Sequence, residues 1–422
     1  MGPRRSAFAG LGHHDELWTD RWSKLDCTYV VSWNSQASMP TPPMATNLVF
    51  GASVAFMVYS FLVRRHKCLS KHRHIRQKLP LDLSTWRCPG ASVEAEERVW
   101  NYLDPVLRDC GYDQWQHSTG SVIRRPAGSL CLSSGFSYAT PGRGIGDQTK
   151  CRPLGTVAYL GRFEYNVRFC FVNLSHNIDN VVIRVMVIKN EGYEHLALLK
   201  RIAMGPYSLL SDNHTLPMHD VTQFEDIHFG IFPLVGAQVR EAFGSWAKNS
   251  VGDVLDMLLQ ALEGLAFLYK LNIAHRDAFH DNLVVQWHPE SCRSMTIPVS
   301  RPRVYLIDFE VAVQYPSDRP ATSIGYPVGG SFLQPEMYSR DRPPELESDR
   351  PYCPYKLDVW QLGHSFSNFK TTIDSIDTIL LALTEPDAER RMDAETALSM
   401  LSKEVFALTP ELYLLEPEVE EL

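Results

Sequence analysis

The chain has 422 residues, 44% of them hydrophobic and 21% charged, which supports a sizeable core and excludes wholesale disorder. Lys and Arg number 41 against 49 Asp and Glu, a formal net charge of −8; a protein that mainly grips a nucleic-acid backbone is usually basic, so no nucleic-acid partner is expected. Nine cysteines are scattered without a C-x-x-C pair, which argues against a disulfide scaffold and a clustered zinc site.

At about 150 residues per domain the length fits two to three domains, or one bilobal unit with an extension. Residues 1–44 read as a disordered N-terminal segment. Residues 45–63 then run for 19 positions without a charge. As a helix they would span about 28 Å, close to the hydrocarbon thickness of a bilayer. Residues 64–78 carry seven Lys/Arg, three His and no acid. This asymmetry predicts a single-pass membrane helix with the rest of the chain on the cytosolic side. The alternative is a cytoplasmic protein in which the stretch is a buried helix.

Residues 64–154 are expected to form a basic juxtamembrane stretch and an N-terminal extension. Within it, residues 93–109 have the spacing of an amphipathic helix that ends before Gly111. Residues 117–152 are rich in Gly, Ser, Pro and Arg and read as loop. The GRGIGD run at 142–147 reads as a turn, because no strand precedes it and no helix start follows.

From residue 155 to 408 the periodicity sharpens. Residues 181–188 (VVIRVMVI) predict a buried strand, 194–202 a helix, and 228–235 another strand. Val251, Leu255, Leu258, Leu259, Leu262, Leu265 and Leu268 fall on one helical face. Strands with one helix come first, then mostly helices. The expected class is α+β, with a small mixed lobe (155–235), a larger helical lobe (236–408) and an exposed acidic tail (409–422).

The chemistry lies just after the long helix. His275-Arg276-Asp277 is followed five residues after the Asp by Asn282, and Asp308 ends an apolar run in VYLIDFE. A carboxylate beside an attacking hydroxyl can orient it and accept its proton. A second carboxylate and an amide oxygen can hold Mg2+, whose charge offsets that of phosphates.

These motifs resemble the eukaryotic protein-kinase family, and within it a divergent fungal branch of kinase-like proteins, over about residues 155–408. LEGLAFLYKLNIAHRDAFHDNLVV is similar to the helix and catalytic loop H-R-D-x-x-x-x-N. The resemblance implies a bilobal fold, ATP and Mg2+ as cofactors and a protein substrate. It makes Asp277 the catalytic base and Asn282 and Asp308 the metal ligands, with His275 and Arg276 framing the loop. Gln334-Pro335-Glu336 resembles A-P-E, with Arg391 as the partner of Glu336. Asp358 opens a stretch similar to the D-x-W-x-x-G of the central buried helix. Arg184 stands where V-A-I-K has its Lys, with Lys189 as competitor. The two are an odd number apart and so point to opposite faces of one strand. Glu194 would orient Arg184, with His195 as the alternative alignment.

Several residues depart from the family pattern. Gly161 is alone where a G-x-G-x-x-G is usual, Phe279 stands in place of the catalytic-loop Lys, and Glu310 replaces the Gly of D-F-G. Residues 288–303 read as an inserted surface loop. His280 and Asp281 read as solvent-facing loop residues, and Ser317, Thr322, Ser323 and Ser331 as ordinary loop hydroxyls. The expected activity is transfer of the ATP γ-phosphate to protein hydroxyls, of the Ser/Thr type. The alternatives are a weak or inactive kinase-like scaffold and a small-molecule phosphotransferase.

Overall fold

The computed structural model describes residues 70–86, 93–117, 122–124, 157–159, 167–172, 180–235, 238–242, 249–286, 303–315, 340–347 and 352–419. The apolar stretch 45–63, the 142–147 turn, Gly161, residues 288–302, the four hydroxyls and Glu336 all lie outside these. Among the described residues no helix is long and apolar enough to cross a membrane.

Contacts divide the chain into two compact units, Met1–Arg76 with Thr222–Glu225, and Gln77–Val221 with Asp226–Leu422. In the first, residues 70–76 are helical and the His72 ring lies edge-on 5.2 Å from that of Phe224. The second holds the candidate site and is built from both helices and strands, an α+β make-up compatible with a kinase-like fold.

In the second unit, helix α1 (Val93–Asp109) has the predicted bounds and buries Trp100, Leu103, Val106 and Leu107. Strand β1 (Tyr112–Gln114) follows and pairs with β2 (Val167–Val172), which pairs with β3 (Asn180–Ile188). The sheet therefore begins upstream of residue 155, where the sequence predicts the small lobe to start. The predicted loop 117–152 also contains a strand, Val122–Arg124, which pairs with Gln116–His117 and Val157–Tyr159.

Strand β3 is rich in Val and Ile, which suit a pleated surface. Its Val181, Ile183, Val185, Met186, Val187 and Ile188 are all buried. The strand ends at Lys189, which is exposed and left-handed at φ 54. Gly192 (φ 94) then opens helix α2 (Tyr193–Ala203), and a Cβ there would fall 2.1 Å from the Met186 carbonyl oxygen. Leu196, Leu199 and Ile202 turn inward from α2, while Glu194 faces solvent. Strand β4 (Ile227–Pro233) lies on the far side of β3.

Helix α3 (Val251–Lys270) is the centre of the large core. Ser250 and Asp253 close a capping box at its start, with Asp253 N–H donating to Ser250 Oγ at 3.2 Å and Ser250 N–H to Asp253 Oδ2 at 3.0 Å. It is buried on nearly every face, as expected of a helix apolar all round. Each of its fully buried leucines contributes roughly 1.5–3 kcal/mol. Asn272, left-handed at φ 59, turns the chain out of α3.

Short antiparallel ribbons follow. Strand β5 (Ile273–Ala274) pairs with β8 (Val313–Gln314), and β6 (Leu283–Gln286) pairs with β7 (Arg303–Leu306). Helices α4 (Pro354–Ser365), α5 (Asp374–Ala382) and α6 (Ala394–Phe406) complete the lobe. The acidic end is only partly the exposed tail that the sequence predicts. Glu411 and Glu418 are exposed, but Tyr413 and Leu415 pack against the core. The Leu415 carbonyl accepts Val251 N–H at 2.8 Å, and Tyr413 Oη donates to Asp256 Oδ1 at 2.7 Å. The segment thus docks on the first turn of α3.

Candidate active site

Asp277 lies between β5 and β6, and Asp308 lies between β7 and β8. Pairing of β6 with β7 and of β5 with β8 brings the two turns together. The link is direct. Asn282 Nδ2 donates to Asp277 Oδ2 at 2.6 Å and to the Asp277 carbonyl at 2.8 Å, while the Asn282 carbonyl accepts Ile307 N–H at 3.0 Å, next to Asp308. Two turns that carry three motif residues spread over 32 positions of sequence are thus bonded to each other.

The loop around Asp277 is braced from α4. Asp358 is fully buried and accepts the N–H of His275 at 2.8 Å and of Arg276 at 2.6 Å. Gln361, one helical turn on, donates to the Arg276 carbonyl at 2.9 Å and accepts Ala278 N–H at 2.9 Å. These bonds hold Arg276 at φ 67, and Asp308 is likewise left-handed at φ 63. Such a conformation costs about 1–3 kcal/mol in a residue with a Cβ and persists only where the surroundings impose it. Burial pushes the Asp358 carboxyl up to about 7, against the pull of its two N–H donors.

His275 is buried and its Nε2 lies 2.9 Å from the Ile307 carbonyl. A carbonyl only accepts, so Nε2 carries the proton and Nδ1 is left to accept Asp277 N–H at 3.3 Å. Burial holds the imidazole down to about 4, so the ring is neutral at physiological pH. His275 therefore joins the two turns without adding charge.

Arg184 enters from β3. Its Nη2 donates to Asp308 Oδ1 at 2.9 Å and to Glu310 Oε1. Burial pushes the Asp308 carboxyl up, but the Arg184 charge and hydrogen bond outweigh it and hold Asp308 below the usual range. Arg184, which the sequence prefers over Lys189, reaches the Asp308 carboxylate, while Lys189 is exposed. The predicted partner does not hold. Glu194 is exposed, and the carboxylates on Arg184 are Asp308 and Glu310, the latter in place of the D-F-G glycine. The alternative alignment, His195, is the one close enough to act on the Asp308 carboxylate electrostatically.

Burial raises the Asp277 carboxyl to about 7; Arg340 pulls it down and Asp308 pushes it up. Arg340 was not singled out in the sequence. Its Nε lies 3.2 Å from Asp277 Oδ1, its Nη1 lies 2.6 Å from Asp281 Oδ1, and its guanidinium covers the Phe279 ring at 4.8 Å. No local motif marks a residue 63 positions away from its carboxylate. Asp281 and His280 are corrected too. Asp281 is ion-paired rather than free in solvent, and His280 is largely buried, with its imidazole held down to about 4 by burial.

Arg391 is held by a carboxylate among the described residues, Glu345. It is 1% exposed and grips Glu345 with two bonds, Nη1 to Oε1 at 2.6 Å and Nη2 to Oε2 at 3.2 Å. Glu336 lies outside the described residues. Pro343-Pro344-Glu345 was the available signal, a second Pro-Glu pair nine residues downstream of the first.

The two turns hold donors suited to Mg2+. With Asn282 Nδ2 bound to Asp277, the Asn282 Oδ1 is the atom left to accept, and Asp308 is kept ionised. Among the described residues no group of three or more His, Cys, Asp or Glu could hold a metal ion. Two oxygen donors agree with the habit of Mg2+, which takes one or two carboxylates and completes its shell with phosphates and water.

No family model matches the chain. A stretch of 107 residues, 25% of this chain, is 34% identical to the "Serine/threonine-protein kinase PINK1, mitochondrial" of Rattus norvegicus and covers 17% of that protein. The Mus musculus protein of the same description is 33% identical over the same length and shares. The chain thus covers about one sixth of the length of the curated relatives it matches. This weak similarity supports a protein-kinase-like relationship; the resemblance to a fungal branch rests on the motifs alone.

Proposed function

We propose that this chain is an ATP- and Mg2+-dependent protein kinase acting on Ser or Thr hydroxyls of a protein substrate. The observation that carries the reading is that Asn282 bonds to Asp277 through its side chain and to Ile307, the residue before Asp308, through its carbonyl. Asp277 takes the proton of the acceptor hydroxyl as its oxygen bonds the γ-phosphorus and the bond from that phosphorus to the β-bridging oxygen breaks, leaving ADP. Asn282 turns its amide towards Asp277 and fixes the carboxylate. Asp308 and Asn282 would hold Mg2+, which supplies charge to offset the phosphates. Arg184 brings a guanidinium to the same cleft and Glu310 orients it.

Incubation of the full chain with ATP, Mg2+ and a generic basic protein tests this. Phosphate transfer should be abolished by Asp277→Asn and by Asp308→Asn. Equal residual transfer in both variants would sink the assignment. One observation favours a second reading, a weak or inactive scaffold: Asp308 is already ion-paired to Arg184. A chain that gains thermal stability with ATP and Mg2+ but transfers no phosphate would support the scaffold.

Membrane attachment through residues 45–63, with the kinase-like part on the cytosolic side, completes the reading. The uncharged run and the basic cluster after it support it. Carbonate extraction tests it: full-length protein should resist release and a variant without residues 1–64 should not.

A further inference from the structure

We propose that Arg340 is the second phosphate-binding cation of the cleft, placed over Phe279 to receive the terminal phosphoryl group of a nucleoside triphosphate beside Asp277. This rests on the phosphotransfer reading above and adds to it a residue no motif assigns.

The argument starts from charge. Asp277, Asp281, Asp308 and Glu310 bring four carboxylates to these turns. A triphosphate adds further negative charge, so cations must face it. Arg184 serves the Asp308 side, where it binds Asp308 and Glu310. The loop itself offers nothing on the Asp277 side. Between Asp277 and Asn282 it contains no Lys or Arg, and Arg276 is buried with a hydrogen bond to Tyr352. Arg340 fills that side from another segment.

Its placement is well defined. Asp277 lies 3.2 Å from Nε, Asp281 lies 2.6 Å from Nη1, and the Phe279 ring supports the guanidinium from below at 4.8 Å. Two carboxylates and an aromatic face fix both the position and the plane of the group. A guanidinium has five N–H donors in a rigid fork that matches phosphate oxygens. The phosphoryl group that an acceptor hydroxyl attacks must lie next to Asp277, which is where this fork is held. The Arg340 side chain is 28% exposed. Phe279 acts as the platform: an apolar ring at 5% exposure, covered by the cation it does not itself supply.

The test is calorimetric binding of a non-hydrolysable ATP analogue and of ADP, each with Mg2+, to the full chain. The wild type should bind the triphosphate more tightly than the diphosphate. Arg340→Gln should weaken the triphosphate by about tenfold or more and leave ADP within about twofold. Arg340→Lys should retain part of the preference. Phe279→Lys in the Arg340→Gln background should restore it, because it returns a cation to the same spot. A role confined to strapping the segment to the loop would lower thermal stability without moving the triphosphate-to-diphosphate ratio, and no lysine at 279 would rescue it. Equal binding of both nucleotides by wild type and Arg340→Gln overturns the inference while leaving the phosphotransfer reading intact. A wild type that binds neither nucleotide overturns both.

Discussion

Glu345→Ala removes one half of a buried ion pair, and its cost can be worked from the geometry. Arg391 is 1% exposed, and Glu345 supplies both of its short carboxylate contacts. The other acceptors on the guanidinium are the carbonyls of Glu385 and Lys356, each at 2.9 Å, and neither carries a formal charge. The variant therefore strands a buried cation, which costs about 3–5 kcal/mol. At about 2 °C per kcal/mol for a unit of this size, Tm should fall by about 6–10 °C. Replacing both partners, Glu345→Leu with Arg391→Met, should recover most of the loss, since no charge is then left alone. Scanning calorimetry of the full chain reads both variants. Glu347→Ala is the comparator: it lies exposed two residues further on and should shift Tm by about 1 °C or less. A Glu345→Ala protein that melts with the wild type, or a Glu347→Ala protein that falls as far, refutes the reasoning.

Glu310→Ala takes away one of the carboxylates on Arg184 and should destabilise the chain by about 1–3 kcal/mol. Glu194→Ala, at an exposed position, should stay within about 0.5 kcal/mol, and urea titration of the two gives the comparison. Asp277 must be ionised to accept a proton, and burial holds its carboxyl at about 7. Phosphate transfer should fall about tenfold per pH unit below that value and level off above it, and a profile flat from about pH 5 to pH 8 contradicts the assignment. In most helix interiors Gly→Ala gains about 0.5–1 kcal/mol. At Gly252 the new Cβ would lie 1.8 Å from the Tyr413 ring, so Gly252→Ala should instead destabilise the chain and speed proteolysis of its last residues.

Long and strongly patterned elements were legible in the sequence. The Val- and Ile-rich strand at 181–188 and the leucine face of 251–270 announce themselves because burial on a strand or helix dictates residue type at fixed spacing. The motif residues Asp277, Asn282 and Asp308 were legible for a different reason, since their chemistry demands particular atoms. Strand β1 was not, because three residues carry too little periodicity to register. Arg391 carries a motif signal, whereas Glu345, which bonds it, does not. Two Pro-Glu pairs lie nine residues apart, and the fold places Glu345 of the second on the guanidinium. Glu310 was legible only as a departure at a glycine position, whereas its carboxylate compensates the charge of Arg184. Arg340 was invisible because an ion pair across 63 residues leaves no local pattern.

Nucleotide-dependent Mn2+ binding, followed by electron paramagnetic resonance alongside phosphate transfer, tests the shared centre most directly. Asp308→Asn and Asn282→Ala should each weaken Mn2+ binding by about tenfold or more, whereas Asp277→Asn should keep the ion and lose the transfer. Mn2+ affinity unchanged in all three variants, or transfer surviving Asp277→Asn, would contradict the account.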